Sequence, residues 1–102
     1  MPRRGEVWLV DLGMIQKTRP AVILNMPYGD TDRVVVTIVS HTTALRESPF
    51  EIVVPVPFLR EGAFAVQSVT TIPTKHALRR LGTLTADQLA PIEEGVRQWL
   101  GL

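Results

Sequence analysis

The chain has 102 residues, enough for one hydrophobic core, since chains of this size bury roughly 60 to 70% of the surface they expose when unfolded. It has no cysteine, which excludes disulfides and thiolate metal sites, and its formal charge of +1 and pI near 8.3 neither demand nor exclude a polyanionic partner. No apolar run approaches the roughly 18 residues of a membrane span, and the "MPRR" start lacks a signal-peptide core, so the expectation is one domain over residues 1–102, soluble and cytoplasmic.

The first element is "GEVWLVDL", where Val7 and Leu9 alternate with Trp8 and Val10, giving a strand with two faces apolar enough to bury. Gly13 breaks it. "RPAVIL" is short, β-branched and led by Pro20, which puts Arg19 at the mouth of a second strand. "NMPYGDTD" reads as a turn, "RVVVTIVS" as the strongest strand in the chain, closed by Ser40, His41, Thr42 and Thr43, and "HTTALRESP" has the polar content of a loop at its C-terminal end. "FEIVVPV" and "FAVQSVTTIP" make a fourth and a fifth strand on either side of the turn "PFLREGA", the last closed by Pro73. Five strands with short links predict an antiparallel β-barrel.

The remainder reads as helical. "TKHALRR" has the composition of a short helical turn that Gly82 would cap. Thr85 with Gln88 three residues later forms a capping box, and Leu84 with Leu89 a hydrophobic staple. Leu89, Ile92, Val96 and Trp99 then recur at helical spacing, a single apolar stripe that packs on the barrel or on a partner. The fold class is therefore mainly β with a C-terminal helix.

The sequence has no glycine-rich phosphate loop and no paired-histidine zinc motif, and its only histidines are His41 and His76, so neither metal nor cofactor is expected. Polar residues gather instead at strand ends. If the second and third strands pair antiparallel, Arg19 and the run Ser40, His41, Thr42, Thr43 share one end of the sheet, where they could surround a phosphate. An arginine donates paired hydrogen bonds to phosphate oxygens, hydroxyls add neutral donors, and an imidazole can move a proton near neutral pH. Lys17 beside Arg19 adds attraction, and Gln67 in the fifth strand adds a polar contact. Plainer readings exist for each: a solvated edge arginine, an ordinary turn composition, a surface histidine, an outward-facing glutamine. Tyr28 and Phe58 are the loop aromatics available to stack on unpaired bases.

"RRGEVWLVDL", "KTRPAVIL", "VTIVSHTT", "SPFEIVV" and "RRLGTLTADQL" follow in one order along essentially the whole chain. That pattern resembles the MazF/PemK family of toxins from type II toxin–antitoxin pairs. The resemblance implies an SH3-like barrel with a C-terminal helix and a homodimer. It implies a metal-independent, sequence-selective endoribonuclease acting on single-stranded RNA, held in check by a MazE-like antitoxin with a disordered tail. The family's site arginine falls on Arg19, and its site hydroxyl on Thr42 or, in a shifted register, Ser40. Some members carry an arginine and an acid in the fifth strand as an acid–base pair, but Ala65 and Gln67 stand here, leaving His41 as the proton-transfer candidate. Other toxins on the same barrel act without catalysis by binding a DNA topoisomerase through the C-terminal helix, the competing expectation.

Overall fold

The computed structural model describes residues 1–13, 15 and 17–102. Its strands are β1 (Glu6–Asp11), β2 (Thr18–Ile23), β3 (Val35–Thr42), β4 (Glu51–Ile52), β5 (Ala63–Ala65), β6 (Thr70–Pro73) and β7 (Ala77–Thr83), followed by helix α1 (Ala86–Leu100). Neighbours pair in the order β4-β5-β3-β2-β1-β7, with β6 also on β3, and every pairing is antiparallel. The expected antiparallel barrel with a C-terminal helix thus forms as an open, curled sheet whose path ends at β4 and β7.

Both faces of the central strands are buried, as the alternation in "GEVWLVDL" predicts. Val7, Val22 and Val39 share one face with Phe64 and Val66, and α1 covers them with Leu89 and Ile92. Val10, Ala21, Ile23, Val36 and Ile38 make a second cluster on the other face. The capping box of α1 is present in full, with the Thr85 hydroxyl accepting from the Gln88 amide and the Gln88 side chain accepting from the Thr85 amide. Leu84 and Leu89 are buried in the same cluster, so the helix enters at the angle the staple sets. Arg4 anchors the N-terminal segment to α1 through Glu93.

Three sequence expectations change. "TKHALRR" is not a helical turn: Thr74–His76 make one 3₁₀ turn, and Ala77–Thr83 extend as β7 against β1. Gly82 pairs with Val7 there rather than capping a helix, and the Phe58 ring lies where its Cβ would be. The expected fifth strand divides into β5 and β6 around a 3₁₀ turn at Val66–Ser68. "FEIVVPV" pairs only at Glu51–Ile52, since Val53 turns outward and Pro55 cannot donate to a ladder. His41 and Thr42 close the third strand as expected, both pairing with β5.

Candidate active site

Regular pairing gives way around the C-terminal end of β3. The β2–β3 ladder runs from Ile23↔Ile38 to Ala21↔Ser40 and ends beside Pro20, which has no N–H to extend it. Arg19 lies within β2, paired with Val10 of β1, rather than ahead of the strand. The same β2–β3 register carried two residues further sets Arg19 across from Thr42. On the other edge of β3, β6 pairs as far as Ile38↔Thr70 and β5 resumes at His41↔Phe64. The 3₁₀ turn at Val66–Ser68 fills the interval and delivers Gln67 and Ser68 to the site.

Side chains alternate across a strand, so the "SHTT" run divides between two surfaces. Ser40 and Thr42 line a cleft of ≈ 510 Å³ together with Arg19, Arg46, Gln67 and Ser68. His41 and Thr43 line a second cleft of ≈ 540 Å³ with Arg60 and Arg79, and Arg19 borders this one too. Lys17 lines neither; it sits in the β1–β2 turn at φ 57, its N–H donating to the Gly13 carbonyl at 2.6 Å.

The two candidate hydroxyls differ in what they are free to do. Ser40 is buried, and its Oγ donates to Ser68 Oγ at 2.9 Å; Ser68 Oγ donates in turn to the Ala65 carbonyl at 2.6 Å. The Ser40 amide also donates to Ser68 Oγ, at 3.0 Å. This chain pins the 3₁₀ turn to β3. Thr42 Oγ1 accepts from the Ala44 amide at 3.1 Å, which leaves its own hydroxyl proton to donate into the cleft.

Sequence reading passed over Glu51 and gave Arg46 no place in the site. The Glu51 carboxylate accepts from the backbone amides of Arg46 and Ser48, each at 3.0 Å, and so folds the loop after Thr42 around the cleft. The signal for it was a lone acid inside the apolar run "FEIVV". Phe50 closes the cleft wall and packs edge-on against Trp99 of α1, ring centroids 5.3 Å apart. Tyr28 donates to or accepts from Thr74 at 3.0 Å, and Phe58 packs in the core beside Gly82, so both nominated aromatics have structural partners.

His41 is 5% exposed, its ring edge-on to Phe64 at 5.1 Å. Burial pushes the imidazole pKa below its ordinary 6.5. A denatured chain takes up this proton at the ordinary pKa while the folded chain resists it, so stability is full above 6.5 and falls as pH drops below it. Thermal melts of wild type and His41→Phe at about pH 7.5 and about pH 5 should show the variant losing less Tm over that interval. Equal losses would mean that folded His41 titrates as it does in water.

A family model described as "PemK-like, MazF-like toxin of type II toxin-antitoxin system" matches residues 3–100. The chain belongs to this family. Solved structures of PemK/MazF-type proteins share its fold throughout. An endoribonuclease in complex with its cognate antitoxin, from a mycobacterial species, superposes with a TM-score of 0.85 at 24% identity, covering 100% of this chain and 97% of the other. A MazE–MazF complex from Deinococcus radiodurans gives 0.82 at 19% identity, over 99% of this chain and 96% of that one. The Mycobacterium tuberculosis toxin MazF-mt6 gives 0.78 at 25% identity, over 95% and 97%. No curated protein matches in sequence. Among the described residues of this family member, no three of His, Asp or Glu converge as metal ligands, and no helix is long and apolar enough to cross a membrane.

Proposed function

We propose that this toxin is a sequence-selective endoribonuclease that cuts single-stranded RNA without a metal ion, leaving 2′,3′-cyclic phosphate and 5′-hydroxyl ends. The observation that carries the reading is that Arg19 and Thr42 line one cleft. The description of the mycobacterial relative as an endoribonuclease supports it. The scissile phosphate lies between the two side chains. The ribose 2′-hydroxyl gives up its proton to solvent as its oxygen bonds to phosphorus, the bond to the 5′-oxygen breaks, and that oxygen takes up a proton that Arg19 supplies and solvent restores. The Arg19 guanidinium stabilises the charge that builds on the phosphorane and is placed to protonate the leaving oxygen. Thr42 donates to a non-bridging oxygen. His41, on the opposite side of β3 from Thr42, is assigned no proton-transfer step in this reading. Gln67 offers its amide to a base edge, Thr43 a hydroxyl on the second surface, and Lys17 at the turn adds a salt-sensitive attraction. A homodimer and an antitoxin tail laid across the RNA groove complete the proposal, in keeping with the antitoxin bound to the mycobacterial relative.

The hydroxyls separate in a paired experiment. Thr42→Val keeps the shape of the side chain and removes the donor, so single-turnover cleavage of a labelled RNA should fall roughly ten- to a hundredfold with Tm little changed. Ser40→Ala should do the reverse, costing about 1 kcal/mol of stability for the lost bond to Ser68 while cleavage persists. If Ser40→Ala abolished cleavage and Thr42→Val did not, the site hydroxyl would be Ser40.

The competing reading, a toxin that binds a protein target through α1, draws on Trp99, which is 41% exposed near the end of the helix. It gives no role to the cleft around Arg19.

A further inference from the structure

The second cleft lies across β3 from the first. Its polar groups come from four parts of the chain: Arg19 from β2, His41 from β3, Arg60 from the loop before β5, and Arg79 from β7. None of the three arginines has an ion-pair partner among the described residues. His41 is more than nine-tenths buried, yet its imidazole makes no hydrogen bond among them. No side-chain nitrogen or oxygen in the described structure is sealed from solvent without a partner, so the His41 nitrogens open to the cleft. The ring is held in place, edge-on to Phe64 on one side and close to Gly62 on the other, where an added Cβ would come within 2.8 Å of His41 Cε1. Half-buried Leu81 and Leu9 supply an apolar wall.

Three unpaired cations beside a fixed, neutral hydrogen-bonding ring and an apolar wall match an anionic group attached to a planar heterocycle. We infer that this cleft holds a nucleotide flanking the scissile phosphate, with Arg60 and Arg79 on its phosphate and His41 on the edge of its base. Arg19 borders both clefts and marks where the strand crosses from one to the other. A rigid imidazole whose partner is missing discriminates between bases, because a base that leaves it unpaired loses the hydrogen bond and gains nothing in exchange. This inference rests on the ribonuclease reading for the identity of the ligand, although binding can be tested without cleavage.

The test uses a single-stranded RNA oligonucleotide with a 2′-deoxy substitution at the cut position, which binds but cannot be cut, followed by fluorescence anisotropy across a salt series. The proteins are wild type, Arg60→Ala/Arg79→Ala, His41→Gln, and Arg97→Ala as a control on the helix, each shown to be folded by its melt. The double variant should bind at least tenfold more weakly, and its slope of log K against log salt should be shallower by about 0.7 for each phosphate it no longer neutralises. Arg97→Ala should match wild type. On cleavable RNA libraries, His41→Gln should relax base preference at one position next to the cut and leave the others unchanged. If wild type cleaves and the double variant keeps wild-type affinity and slope, the second cleft is not on the RNA path, and the ribonuclease reading stands without it. If wild type neither cuts RNA nor binds the oligonucleotide, both fall together. Binding and the slope change without cleavage would uphold the cleft and overturn the nuclease.

Discussion

Arg19→Ala should cut RNA about 100- to 1,000-fold more slowly than wild type and melt at nearly the same temperature. The effect on rate follows from where the guanidinium stands. It is exposed, lines the same cleft as Thr42, and has no acidic partner among the described residues, so its donors are free for a phosphate whose charge grows in the transition state. The small effect on stability follows from the same exposure, because a solvated arginine at a strand end contributes little to the fold. Arg19→Lys sharpens the test. A lysine keeps the charge but loses the planar pair of donors, so a large loss in this variant as well would indicate that bidentate geometry matters, whereas near-complete rescue would reduce Arg19 to a point charge. A rate unchanged in Arg19→Ala would remove this residue from the mechanism.

Gly62→Ala should damage both fold and site. A Cβ at this position would lie 2.2 Å from the Thr42 carbonyl oxygen and 2.8 Å from His41 Cε1, far inside contact distance. The first of these neighbours is backbone in a paired strand, Thr42 being opposite Ala63, so relief requires β5 to move away from β3. We expect about 3 kcal/mol of destabilisation, on the order of 15 °C in Tm for a domain of this size. Because the displaced atoms belong to Thr42 and His41, the protein that remains folded should also cleave more slowly, in contrast to Ser40→Ala. Equal Tm values for Gly62→Ala and wild type would show that β5 does not press on the end of β3 at this point.

How far the sequence alone reaches depends on whether the controlling interaction is local. β1 to β3 and α1 follow from hydrophobic period, and the capping box at Thr85 follows from two residues three apart. "TKHALRR" misleads because lysine, alanine, leucine and arginine are good helix formers, and only the distant edge of β1, waiting for a partner, turns them into β7. That His41 and Thr42 close the third strand was legible, but their pairing with β5 was not. Arg19 beside the "SHTT" run was legible from antiparallel pairing, but the run's division between two clefts needed the register, since a shift of one residue would exchange the faces. The choice between Ser40 and Thr42 rests on hydrogen bonds from Ser68 and Ala44, and the second cleft on Arg60 and Arg79, which reach it from elements far apart in the chain.

The central claim is metal-free cleavage of RNA at the cleft between Arg19 and Thr42. Its most direct test is to incubate purified wild-type protein with a long, end-labelled single-stranded RNA in excess EDTA and to identify the chemical ends of any products. The account predicts discrete cuts at a recurring short sequence, with a 2′,3′-cyclic phosphate on one side and a 5′-hydroxyl on the other. Intact RNA from folded protein across several unrelated substrates would contradict it, as would 5′-phosphate ends that appear only when a divalent ion is restored.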